Sequence, residues 1–192
     1  MNTRIVLLGP PGSGKGTQAA GLAKAAGVPA VSTGAIFRDH LARETELGLK
    51  AREYMRAGQL VPDHLTNALV AARLAEPDAE AGFVLDGYPR NLGQVEALDR
   101  FLGERGAEVD QAIELAIPRE HVIARLLKRA EIEGREDDTE PVIVKRLAVY
   151  HAETEPVSGA YAARGAFTSV DGLGTVEEVA ARLHSAAETR SS

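Results

Sequence analysis

A chain of 192 residues, 44% of them hydrophobic and 26% charged, is long enough for one substantial core and short for two independent domains, which excludes a fibrous or disordered protein. A net charge of −6 speaks against nucleic acid as a partner, since a phosphate backbone is held by a basic surface, and no run approaches the roughly 18 apolar residues of a membrane helix. The count of 0 cysteines excludes disulfides, thiolate zinc sites and cysteine nucleophiles together, and a cytoplasmic protein is expected.

The segment from Arg4 to Leu8 reads as a strand buried on both faces and stops at the Gly/Pro-rich stretch Gly9 to Gly14; a helix over about Lys15–Ala26 follows. Val28–Val31 reads as a second strand. Three helices are predicted near Gly34–Arg43, Leu47–Arg56 and Asp63–Ala75, then a buried strand at Phe83–Asp86 and a helix around Asn91–Glu104. Ala112–Ile117 is a fourth strand, closed by Pro118. Helices at Arg119–Ile132 and Thr139–Thr154 flank the polar segment Glu133–Asp138, and Phe167–Val170 and Thr175–Ala187 supply a last strand and helix before a frayed tail at Glu188–Ser192. Strands alternating with helices imply an open parallel sheet covered on both faces. The short helices between Thr33 and Gln59 are too much chain for a plain crossover and suggest a mobile flap.

Chemistry enters with Gly9-Pro10-Pro11-Gly12-Ser13-Gly14-Lys15-Gly16-Thr17, set after a strand and before a helix. Backbone N–H groups of such a loop turn inward around phosphate oxygens, the helix N-terminus adds positive potential and Lys15 a full charge. Gly12, Ser13, Gly14, Lys15, Gly16 and Thr17 are therefore candidate phosphate-binding residues. A general P-loop carries Ser or Thr directly after the lysine; here Gly16 stands there and Thr17 comes one later.

Gly-Lys-Gly-Thr-Gln over 14–18 resembles the loop of the nucleoside monophosphate kinases, and further motifs narrow the resemblance to the adenylate kinase family: Ser32-Thr33-Gly34 with Arg38, Gly87-Tyr88-Pro89-Arg90 with Gln94, Gly134-Arg135-Glu136-Asp137-Asp138, and Lys145-Arg146-Leu147. The resemblance implies an α/β P-loop three-layer fold with a five-stranded parallel sheet, a core over 1–31, 62–128 and 140–192, an AMP-binding flap over 32–61 and a short lid over 129–139. It implies the Mg²⁺-dependent reaction ATP + AMP = 2 ADP.

By the same resemblance, Thr33 and Gln94 read the adenine of AMP, with backbone groups of Gln59, Leu60 and Val61 completing the pocket, and Gly87, Tyr88 and Pro89 beside it. Arg38 and Arg90 clamp its phosphate, as guanidinium forks match phosphate oxygens. Asp86 organises the waters of Mg²⁺. Arg125 and Arg129 reach ATP, Arg135 and Arg146 reach phosphates near the AMP side, and Gly174 lies beside the ATP adenine. Lys15, Arg90, Arg129, Arg135 and Arg146 form the catalytic set. From the residues alone, Thr33 also reads as a helix N-cap, Asp86 as a turn cap, and Asp137 and Asp138 either as partners of the lid arginines or as caps. The arginines weigh less singly, because 17 of the basic residues are Arg and only 5 are Lys.

Two departures from the family pattern stand out. Ala35 replaces an aspartate common after Ser-Thr-Gly, which puts a flap hydrogen bond in doubt. The lid lacks the longer insertion that sometimes holds zinc, so no structural zinc is expected. A pyrimidine-preferring relative is disfavoured by Thr33 and Gln94, and a P-loop GTPase by the lack of an Asn-Lys-x-Asp segment. A nucleotide sensor that no longer transfers phosphate is disfavoured by Lys15, Asp86 and the arginines. A monomer is expected, because one chain carries both nucleotide sites.

Overall fold

Both parities of the first strand are apolar, so it must be covered on two sides. In the computed structural model, which describes residues 3–133 and 138–188, β1 (Thr3–Leu8) is the central strand of a five-stranded parallel sheet ordered β2-β3-β1-β4-β5. The other strands are β2 (Ala30–Ser32), β3 (Gly82–Asp86), β4 (Gln111–Ala116) and β5 (Phe167–Asp171). Val6 and Leu8, with Phe83 and Leu85, face a layer formed by α4 (Asp63–Leu74), α5 (Leu92–Gly103) and α8 (Glu155–Ala163). Ile5, Leu7, Val84 and Ile113 face α1 (Lys15–Ala26) and α9 (Val176–Glu188), completing three layers. The register Leu7↔Asp86, Ser32↔Asp86 and Leu8↔Glu114 brings the carboxyl ends of β1, β2, β3 and β4 to one edge, the place where open parallel sheets bind ligands.

Two smaller apolar clusters lie off the sheet. In the segment after β2, α2 (Thr33–Ala42) and α3 (Glu46–Arg56) enclose Phe37 and Ala51 with Val61. Across the cleft, α6 (Arg119–Glu133) and α7 (Glu140–Val149) enclose Val122, Leu126, Ile143 and Leu147.

Most element bounds lie within one residue of expectation, and three differences have a physical consequence. The second strand begins at Ala30 rather than Val28, because a left-handed Gly27 first turns the chain and Pro29 has no N–H to pair; it contributes only its carbonyl, to Val84 N at 2.9 Å. The expected single helix over 139–154 is α7 followed by a π turn at Tyr150–Thr154 and then α8, which was not foreseen. Pro156 lies in the first turn of α8 and cannot donate backward, so the ladder widens and Glu155 N bonds to Tyr150 O instead. Glu188, expected in a frayed tail, closes α9.

Candidate active site

The site grows from the turn after β1. α1 starts at Lys15 with no side chain capping its first turn, so its N–H groups face the cleft without a protein acceptor from a cap. Gly12 has φ +79°, and a Cβ there would lie 2.7 Å from Leu126 Cγ, so only glycine lets α6 pack directly on the loop. Lys15 Nζ folds back under the loop, donating to Gly9 O at 2.7 Å, Pro10 O at 2.8 Å and Ser13 Oγ at 3.2 Å. Desolvation there, opposed by Asp86 and assisted by Arg90, Arg146 and Arg129, pushes its pKa down from 10.5 to about 8.

A cleft of about 620 Å³ runs from this loop past the strand ends to the α2–α3 segment. Gly12, Gly14, Lys15, Gly16 and Thr17 line one end with Arg125 and Arg129. Thr33, Arg38, Gln59, Leu60, Val61 and Gln94 line the other, and Asp86, Gly87, Pro89, Arg90 and Arg146 lie along it. Thus most of the sequence candidates are brought to one cavity. Ser13, Tyr88 and Gly174 are not in its lining. Ser13 supports Lys15. Tyr88 is buried, its hydroxyl donating to Asn67 Oδ1 at 2.8 Å and Gln94 O at 3.2 Å. Gly174 belongs to a loop tied to the P-loop by Arg125, which donates to Ser13 O at 3.4 Å and Gly172 O at 3.3 Å. Arg135 and Asp137 lie outside the described residues.

Several open alternatives close on geometry. Ser32, not Thr33, is the N-cap of α2, accepting from Ala35 N at a long 3.4 Å. Thr33 is buried and donates to Gly87 O at 2.8 Å; the same carbonyl receives Arg90 Nε at 2.8 Å, which ties the start of α2 to the Arg90 turn. Asp86 accepts from Ser32 Oγ at 3.0 Å. Asp138 is no cap either. Its fully buried carboxylate accepts from Arg129 Nε at 2.6 Å and Nη2 at 2.8 Å, and from Arg146 Nη1 at 2.6 Å, holding both guanidinium groups on the cleft wall.

Four contributors have no role in the sequence reading, although one of them, Ser32, belongs to the Ser32-Thr33-Gly34 motif. Ser32 could have been found as a polar residue ending an apolar strand. Asp63 and Asn91 open two of the predicted helices, yet both bond around Gln94. Thr154, delivered by the π turn, donates to Arg90 O at 2.8 Å and lines the cleft with Tyr150. At the far wall Gly58, with φ +66°, approaches α7 so closely that a Cβ would meet Val142 O at 3.1 Å.

The adenylate kinase family model matches residues 7–166, a span that holds the glycine-rich loop, the α2–α3 segment and the arginine cluster. The chain belongs to the adenylate kinase family. It is similar to the adenylate kinase of Micrococcus luteus, 53% identical over 181 residues that cover 94% of this chain and 88% of that protein. The adenylate kinase of Thermobifida fusca is 51% identical over 187 residues, 97% of this chain and 99% of its own. That of Nocardioides sp. is 46% identical over 183 residues, 95% and 96%. As a member of this family the chain is a phosphotransferase, and the family reaction is ATP + AMP = 2 ADP.

Proposed function

We propose that this cleft transfers the γ-phosphoryl group of ATP reversibly to AMP, with the P-loop end as ATP site and the Thr33–Gln94 end as AMP site. The observation that carries the assignment is the continuity of the cleft: the glycine-rich helix start, Lys15, Arg90, Arg129 and Arg146, and the buried polar side chains Thr33 and Gln94 all line one cavity. Arg38 and Arg90 bind the acceptor phosphate. Lys15, Arg129 and Arg146 neutralise charge on the transferred group, assisted by Arg135, while Arg125 holds the loop beside Gly174 near the ATP base. Binding in one cleft aligns the acceptor oxygen with phosphorus, so positioning and electrostatics supply the catalysis and no general base is needed.

Mg²⁺ fits the residues present. Asp86 offers a hard carboxylate oxygen, and the missing side chain at Gly16 leaves space beside it, since even a Cβ there would lie 3.5 Å from Oδ2. Asp86, through water, and Thr17 would hold the ion, which when bound neutralises phosphate charge. No cysteine is present to build a thiolate zinc site, and the reading includes no structural zinc.

The α2–α3 flap and the segment over 129–139 close over the substrates, which excludes water as a competing acceptor. Both sites belong to one chain, consistent with a monomer, and a cytoplasmic enzyme fits the composition. The test is diphosphate formation from Mg-ATP offered AMP, CMP, UMP or GMP in turn. ADP should form with AMP, and chelation should stop it. Turnover at the wild-type rate in Lys15→Ala would overturn the mechanism.

A further inference from the structure

We infer that Asp63 is a positioning residue for base recognition: its carboxylate sets which end of the Gln94 amide faces each edge of the acceptor base. The inference rests on the reading of the Gln94 pocket as the AMP site. A carboxamide can rotate by half a turn and exchange its donor and acceptor at almost no cost in shape, so a glutamine discriminates between bases only if something prevents the exchange.

Here both ends of Gln94 meet partners with one possible role. Its Oε1 accepts from the Arg90 backbone N–H at 2.8 Å, and an N–H can only donate. Its Nε2 donates to Asp63 Oδ1 at 2.7 Å, and an ionised carboxylate can only accept. The carboxylate is itself braced. Asn91 Nδ2 donates to both of its oxygens at 3.1 Å, and the Asn91 amide cannot turn over either, because its Oδ1 caps α5 by accepting from Gln94 N at 2.8 Å. Gln94 is only 1% exposed and lines the cleft, so water is poorly placed to substitute for these partners.

With one hydrogen of Nε2 and one lone pair of Oε1 committed in this way, the second of each is available to the pocket. That pair matches adenine, which presents an acceptor at N1 beside a donor at its 6-amino group. A 6-oxopurine presents the reverse, N1–H beside an oxygen, and meets like against like. Asp63 is the first residue of α4, where an acidic side chain also favours the helix N-terminus. That structural effect would alter stability, but would not alter discrimination between two bases.

The experiment compares kcat/KM for AMP with that for inosine monophosphate, with Mg-ATP saturating, in the wild type, Asp63→Asn and Gln94→Ala. Asp63→Asn keeps shape but presents an amide that can donate, so the AMP preference should fall roughly tenfold or more, while KM for ATP stays unchanged. A ratio unmoved in Asp63→Asn but reduced in Gln94→Ala overturns the role of Asp63 and leaves the pocket assignment standing. A ratio unmoved in both overturns the pocket assignment and the role together. One measurement needs no variant: in the free wild-type protein the Nε2 hydrogen of Gln94 that is donated to Asp63 should exchange slowly with solvent. Exchange of that hydrogen as fast as in an exposed glutamine would overturn the proposal.

Discussion

Lys15 is held by the loop carbonyls at the start of α1, and its burial there lowers its pKa. Its pKa stands at about 8 against an ordinary 10.5, so between these values the unfolded chain binds the proton more tightly than the folded one. The penalty for the buried ammonium is therefore full below pH 8 and relieved as pH rises toward 10.5, where the folded state gains stability from this residue. Nucleotide binding runs the other way, because triphosphate oxygens favour the charged form. We expect kcat/KM for ATP to be level below about pH 8 and to fall above it, approaching tenfold per pH unit, while Lys15→Arg, always charged, shows a level if lower profile. A wild-type profile level to pH 10 would contradict the assignment. Asp138 illustrates a different residue-level economy: one buried carboxylate orders two arginines whose long side chains would otherwise sample many rotamers.

At the scale of elements, much was legible because hydrophobic period and punctuation agree. The run at 5–8 followed by glycines, and the Asp86-Gly87 break, mark the strand ends that carry the site. The P-loop, Thr33, Arg38, Arg90 and the arginines after Arg119 were readable as motifs. What was not legible depends on contacts between distant segments. Asp63 and Gln94 are far apart in sequence, and nothing local at either position announces their bond. The sheet order and the π turn are of the same kind, since Tyr150–Thr154 carries a helical pattern and only the following proline hints at a fault. That fault has a use. By widening one turn it brings Thr154 to the carbonyl of Arg90, the residue whose guanidinium we propose as a phosphate ligand. Thr154→Val removes the hydroxyl and with it this hydrogen bond. The loss expected is about 1–2 kcal/mol in chemical unfolding, with kcat/KM for AMP reduced several-fold and KM for ATP unchanged. Wild-type AMP kinetics would reduce the π turn to packing alone.

Across the whole molecule the apolar clusters divide the work. The two large clusters clamp the sheet, whereas Phe37, Ala51 and Val61 on one side of the cleft, and Val122, Leu126, Ile143 and Leu147 on the other, form local cores of their own. Bodies with local cores can shift without opening the central one, and both present basic side chains to the cleft: Arg38 from the flap, Arg129 and Arg146 from the helix pair. A ligand spanning both ends should therefore draw three bodies together, and its binding energy should appear as stability of all three. A dinucleotide joining two adenosines through five phosphates provides this span. At a free concentration near 1,000 times its Kd it adds about 4.1 kcal/mol, and at about 2–4 °C per kcal/mol for a chain of this size Tm should rise by roughly 8–16 °C. Amide exchange should slow most over 33–61 and 119–133, with little change in the already protected β1 and β3. ATP alone should protect the second segment and leave the first exchanging. Equal protection of the flap by ATP alone would mean that the flap does not respond to the acceptor, and its assignment as the AMP-closing element would fall.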